Sequence, residues 1–217
     1  APALTHIAAN NGGVYAGSEI EHFDMLVKLL DQPYVSDLLL DTIRRHELPV
    51  VVTEAARAFG AKQTFFATNG TSTCNKIVVQ SVIRPGDIVL VDRDCHKSHH
   101  YGMVLSGAQV CYLDSYPLNE YSMYGAVPLK EIKHQLLALK AAGKLHRVRM
   151  LLLTNCTFDG LVYNVDRVME ECLAIKPDLI FLWDEAWFAF AAFNPVYRSR
   201  TAMYSAKAPG STKPGSR

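Results

Sequence analysis

Apolar positions recur at three- and four-residue steps through the first part of the chain. EIEHFDMLVKLL (19–30) and VSDLLLDTIRRH (35–46) show this spacing, and VVVTEAARAF (50–59) follows Pro49. Each predicts an amphipathic helix. From residue 64 the period changes. Short apolar runs appear at TFFAT (64–68), DIVLVD (87–92), QVCYLD (109–114), VRMLLLTN (148–155) and DLIFLWD (178–184). Helical patterns separate several of them: CNKIVVQSVI (74–83), LKEIKHQLLALKAAG (129–143) and VDRVMEECLAI (165–175). Runs apolar on both faces, alternating with helices, predict a mostly parallel α/β sheet covered by helices on both sides.

The pattern divides the chain into an N-terminal helical segment (1–63), a sheet-and-helix domain (64–203) and a tail (204–217). The tail, YSAKAPGSTKPGSR, holds four Ser or Thr, two Pro and two Gly. It is expected to be flexible, because it has too little apolar surface to bury. The chain opens at Ala1 and not at a methionine, which is read as processing or a fragment. There is no internal repeat.

Ligands in a parallel sheet bind beyond the carboxyl ends of the strands, and polar residues gather there. Asn69-Gly70-Thr71-Ser72-Thr73 follows the first run, and Asp92 and His96-Lys97-Ser98-His99-His100 follow the second. Asp114 ends the third, Asn155, Thr157 and Asp159 follow the fourth, and Asp184-Glu185 ends the fifth ahead of Trp187. The NGTST string suits a phosphate: glycine lets backbone approach, and N–H groups and hydroxyls at a helix start hold a dianion. It is equally a helix cap, where Ser and Thr are favoured anyway. His96 has three uses at this level: metal ligand with His100 four residues on, helix-start hydrogen bonder, or a ring stacked on an aromatic cofactor. Asp184 closes a strongly apolar strand, where a carboxylate needs a cationic or hydrogen-bonding partner. A protonated pyridine nitrogen is one such partner; a helix cap is the other reading. An apolar strand ending in Asp-Glu also fits a P-loop NTPase, but the required GxxxxGK[ST] string does not occur.

Charge and composition narrow the partners. Lys+Arg of 22 against Asp+Glu of 21 gives no reason to expect nucleic acid or an anionic membrane. The longest apolar stretches are far too short to cross a bilayer, and no basic-then-apolar leader opens the chain. Five cysteines with no CxxC pair read as reduced thiols of a cytoplasmic protein.

FFATNGTSTCNKIV (65–78), PGDIVLVDRDCHKSHHYGMVLSGA (85–108), TNCTFDGLVYNVDRV (154–168) and FLWDEAWFAF (181–190) resemble the major domain of the ornithine/lysine/arginine decarboxylases. The resemblance covers roughly residues 50 to 203, with several long motifs in order. It implies the aspartate-aminotransferase fold, pyridoxal 5'-phosphate as cofactor, a basic amino acid as substrate, and a homo-oligomer. Carried over by position, Gly70, Thr71, Ser72 and Thr73 would hold the cofactor phosphate. His96 would stack on the pyridine ring, Asp184 would pair with the ring nitrogen, and Trp187 would lie alongside.

One element of the family pattern is missing. The family places a Ser-x-His-Lys motif downstream of the DEAW-type aspartate, and its lysine binds the cofactor covalently. Here only Lys207 and Lys213 follow Met203. Ser211-Thr212-Lys213 is a faint match without the histidine, and Pro214-Gly215 would break the next element. The expectation is a truncated decarboxylase domain, weak or inactive alone. The alternatives are a non-enzymatic module that pairs with a full-length relative, and a metal-dependent hydrolase on His96, His99, His100 and Asp184.

Overall fold

The computed structural model describes residues 48–67 and 69–206. The expected helices over 19–30 and 35–46, and most of the tail with Lys207 and Lys213, lie outside them. The chain divides into two compact units, Ala1–Thr71 and Ser72–Arg217. In the first, helix α1 (Leu48–Phe59) takes the apolar run after residue 47, with Pro49 in its first turn, where a missing N–H costs nothing.

The second unit is built on a sheet of β1 (Ile88–Asp92), β2 (Gln109–Leu113), β5 (Val148–Thr154) and β6 (Ile180–Asp184). Their order is β2-β1-β5-β6, and every pair is parallel. The four runs read as strands from residue 87 onward therefore form the sheet. Helix α2 (Thr71–Val82) precedes β1, and α3 (Lys97–Ser106) crosses from β1 to β2. Helix α4 (Leu129–Ala141) lies between β2 and β5, and α5 (Val165–Leu173) between β5 and β6.

Strand alternation assigns the two cores. Ile88 and Leu90 of β1, with Leu151 and Leu153 of β5, face Ile132 and Leu136 of α4 and Val168 and Cys172 of α5. Val89, Val91, Met150 and Leu152 point the other way, onto Val79 of α2, Ile83 just past its end, and Met103 of α3. Both faces are thus covered, and all five residues of β1 are buried. A register shift beside Ile88 sets Arg149 as the extra residue of β5, so Val148 and Met150 join opposite cores. Local sequence ends the helices where expected. The Asn164 side chain accepts from the Arg167 N–H to start α5, and Gly107 closes α3 at φ +68°.

On the second face α2 and α3 approach closely at Gly102. A Cβ built there would stand 3.1 Å from Val79 Cβ and 3.4 Å from the Lys76 backbone. At this separation a methyl group would make Val79 give by a few tenths of an ångström, and a larger side chain has no room.

Three features depart from the sequence reading. Residues 64–67 form no strand, and Phe65 is left 78% exposed; an apolar composition without a ladder partner does not make a strand. Between β2 and α4 the chain forms a small antiparallel hairpin, β3 (Pro117–Leu118) with β4 (Met123–Tyr124), too short to leave a periodic signal. Helix α6 (Ala202–Ala206) takes in Tyr204 to Ala206 of the expected tail, and Ser205 is buried. No helix among the described residues is long and apolar enough to cross a membrane. Among those residues, β2 and β6 are the outer strands.

Candidate cofactor site

Because all four strands are parallel, their carboxyl ends share one edge of the sheet. Asp92 ends β1 and Asp184 ends β6, opposite Thr154 of β5. Asp184 gathers three hydrogen-bond contacts there. It is 5% exposed. His99 Nε2 lies 2.7 Å from its Oδ2, the Asn75 Nδ2 amide donates to the same oxygen at 3.1 Å, and the Ala186 N–H donates to Oδ1 at 3.1 Å. His99 is fully buried, so this contact is shielded from solvent and counts for more than a surface pair.

Burial pushes the Asp184 carboxyl up, yet its pKa ends below the ordinary carboxylate value. The hydrogen bond and electrostatic attraction of His99, helped by the Ala186 and Asn75 donors, outweigh the desolvation. The result is a buried carboxylate held ionised. Its Oδ2 receives two donors and its Oδ1 one, which leaves a lone pair of Oδ1 for a further donor.

His96 is the N-cap of α3. Its Nδ1 accepts from the Ser98 N–H at 3.2 Å and stands 2.8 Å from Ser98 Oγ. With Nδ1 used as acceptor, the ring itself stays exposed. The Asn75 amide also reaches Ser98 Oγ at 3.1 Å, so His96 and Asp184 belong to one buried network through Asn75 and Ser98.

The phosphate candidates stand at the head of α2. Gly70 turns at φ +73°, a conformation natural only to glycine, and Thr71, Ser72 and Thr73 form the first turn. A helix start bearing three hydroxyl residues is chemically suited to a dianion. Trp187 is 60% exposed on the segment after β6, and its ring meets Phe158 edge-on at 5.5 Å.

The four residues of the metal reading do not converge. His99 and Asp184 bond each other and His96 caps α3. His100 lies between Cys95 Sγ at 3.4 Å and the Tyr112 hydroxyl at 3.3 Å. Among the described residues no group of three His, Cys, Asp or Glu is placed to hold a metal ion. Cysteine chemistry is not served either: burial, with Asp92 and Asp184, pushes the Cys95 thiol up to about 12.

Sequence reasoning did not reach Asn75, and it named Asn155 and Glu185 among the polar residues at the strand ends without giving either a role. Asn75 carries the network, but only its place on the buried face of α2, four residues before Val79, could have marked it. Asn155 is fully buried; its Nδ2 donates to Glu185 Oε1 at 2.7 Å and to the Arg200 carbonyl at 3.1 Å. Glu185 Oε1 also accepts from the Ala202 N–H at 2.7 Å. Burial, opposed by these donors and reinforced by Asp184, pushes the Glu185 carboxyl up to about 7. Neighbouring carboxylates therefore divide the work: Asp184 belongs to the network of His99, and Glu185 ties the segment 200–202 to the strand ends.

The donor set fits pyridoxal phosphate on two observations. Asp184 is kept ionised in a buried place with an acceptor position still open, as a pyridinium N–H requires. The head of α2 offers hydroxyl and N–H groups for a phosphate. Comparison with known proteins agrees. The Orn/Lys/Arg decarboxylase major domain matches residues 35–212. Lysine decarboxylase LdcA of Pseudomonas aeruginosa is 40% identical over 172 residues, which is 76% of this chain and 22% of that protein. The biodegradative arginine decarboxylase of Escherichia coli is 34% identical over 69% of this chain and 20% of its own length. The solved structure of lysine decarboxylase A from Pseudomonas aeruginosa superposes with a TM-score of 0.62, covering 71% of this chain and 21% of that one. The chain spans about a fifth of the length of these relatives. With the parallel strands β1, β5 and β6 carrying three of the motifs to one edge, the chain belongs to the Orn/Lys/Arg decarboxylase family, whose enzymes use pyridoxal phosphate.

Proposed function

We propose that the chain supplies the ring-holding and phosphate-holding part of a pyridoxal-phosphate site for decarboxylation of a basic amino acid, lysine, arginine or ornithine. The observation that carries this reading is the buried, ionised Asp184 with an open acceptor position. Thr71, Ser72 and Thr73, with Gly70 allowing the backbone turn, hold the phosphate. The exposed face of His96 lies on the ring, and Trp187 borders it. Asp184 keeps a proton on the ring nitrogen, since a carboxylate favours the pyridinium form. When bound, the cofactor supplies the electron sink that lets an α-carboxylate leave as carbon dioxide. Asn75 and His99 hold the carboxylate against rotation.

The covalent lysine of the family has no counterpart in a Ser-x-His-Lys string of these 217 residues. The chain alone is therefore expected to bind the cofactor weakly and to turn over little or no amino acid. The test is to add pyridoxal phosphate, follow its absorbance, reduce with borohydride and map labelled lysines by mass spectrometry. We expect reversible binding without stoichiometric labelling. Asp184→Asn should weaken that binding about tenfold or more, as loss of a charge-assisted hydrogen bond does. Unchanged affinity in this variant would remove Asp184 from the site, and full labelling of Lys213 would restore the lysine to it.

One observation favours a second role beside this one. Phe158, Trp187, Phe190 and Val196 all leave large apolar surface exposed on the segments that flank the β6 end. Such a surface suits association with a second subunit, in line with a homo-oligomer or pairing with a full-length relative. Sedimentation of the chain alone and mixed with such a relative reads this directly; a monomer under both conditions excludes it.

A further inference from the structure

We infer that Asn75 is a positioning residue that ties the orientation of His96 to that of Asp184, so that the two groups proposed to grip the cofactor ring are set together and not one by one. The inference rests on the cofactor reading for its purpose, but its geometry stands in the protein alone. Asn75 is 5% exposed and sits on the inner face of α2. Its Nδ2 lies 3.1 Å from Ser98 Oγ, 3.1 Å from Asp184 Oδ2 and 3.2 Å from His99 Nε2.

An amide nitrogen has two hydrogens, so it cannot serve three acceptors fully. His99 Nε2 is itself 2.7 Å from Asp184 Oδ2, and a carboxylate accepts only, so Nε2 carries a hydrogen and points it at Asp184. That leaves the two Asn75 hydrogens for Ser98 Oγ and Asp184 Oδ2. Ser98 Oγ, already accepting from Asn75, turns its own hydrogen to the lone pair of His96 Nδ1 at 2.8 Å, which it shares with the Ser98 N–H at 3.2 Å. The donors therefore run outward from Asn75 in two arms. One arm fixes the oxygen of Asp184 that faces His99, which leaves Oδ1 as the open one. The other fixes the Ser98 hydroxyl and, through it, the plane of the His96 ring.

The five residues are contributed by three elements, α2, the head of α3 and the end of β6, and Asn75 is the one that touches both arms. The Gly102 contact with Val79 and Lys76 brings α2 and α3 close enough for it to do so.

The two arms make separable predictions. In the cofactor-free chain, carbon-detected NMR follows the Asp184 carboxyl and nitrogen-detected NMR the His96 ring. Asn75→Leu cuts both arms: the Asp184 titration should move up by about one pH unit, the size expected when a carboxylate loses one good donor, and the His96 resonances should shift. Ser98→Ala cuts one arm: His96 should shift while Asp184 titrates as before. Asn75→Ala, smaller and with neither donor nor charge, repeats the Asp184 effect if the leucine variant does not fold. General loosening of the fold would not produce this division. With pyridoxal phosphate added, Asn75→Leu should lower its affinity about tenfold. An Asp184 titration unmoved in both Asn75 variants, or a His96 ring unmoved in Asn75→Leu and Ser98→Ala, overturns the inference. The stated NMR pattern without any cofactor binding by the unaltered chain would instead support the positioning role and defeat the cofactor reading.

Discussion

Asp184 and Glu185 are neighbours with opposite protonation behaviour. Asp184 is pulled below the ordinary value and Glu185 pushed up to about 7. Linkage fixes the sign for Glu185. A carboxyl with a raised folded pKa contributes stability in its protonated form, fully present below about 4.5 and lost as pH rises through about 7. The amplitude is on the order of 3 kcal/mol, since each tenfold change in proton affinity is worth about 1.4 kcal/mol. Glu185→Gln keeps an acceptor oxygen for Asn155 and Ala202 but cannot ionise. It should therefore stabilise the protein at pH 8 and change little at pH 5, as urea unfolding at both values will read; equal effects at both pH values would contradict this. Asp184 works the other way, contributing stability above the ordinary carboxylate range that is lost as pH falls through its lowered value. At this scale the sequence was legible where a residue type conflicts with its surroundings, as a carboxylate ending IFLWD does. It was silent on Asn75 and gave Asn155 a place but no role, because an asparagine in a helix or after a strand is unremarkable until the side chain it reaches is known.

At the scale of elements, β1, β2, β5 and β6 were readable because a strand buried on both faces needs an unbroken apolar run. The run at 64–67 shared that composition without the neighbour that makes a ladder, and α3 was hidden because KSHHYGMVLS has no clean apolar stripe. Burial of Ser98, His99 and Gly102 on its inner face explains why: the face that packs is the face that carries the network. The core should respond as a well-filled one. Leu152→Ala, at a fully buried position of β5, is expected to cost about 2–5 kcal/mol by removing side-chain contacts and leaving a cavity. Gly102→Leu has nowhere to place its side chain, so it should force α2 from α3 and cost about 1–3 kcal/mol. Gly102→Ala asks Val79 to give by only a few tenths of an ångström and should be far milder. Denaturant midpoints of the three variants test the ordering, and a Gly102→Leu protein as stable as the alanine variant would refute the close helix contact.

At the scale of the molecule, order along the chain was legible because three of the four family motifs lie at the end of a strand, and a parallel sheet carries every strand end to one side. How the chain finishes its edges was not, since hydrogen bonding between strands leaves no mark in any one of them. Strand β6 is paired only with β5 among the described residues, and its Phe181 and Trp183 rings stack on each other at 6.4 Å while remaining partly exposed. Its outward N–H and C=O groups form a row that any extended segment can read, with neither proline nor lysine to discourage it. The practical consequence is colloidal. As the concentration of this chain rises, light scattering and dye binding typical of stacked strands should rise with it, and a short peptide copying IFLWD should seed the process. A preparation that stays clear at high concentration would show that this row already has a partner.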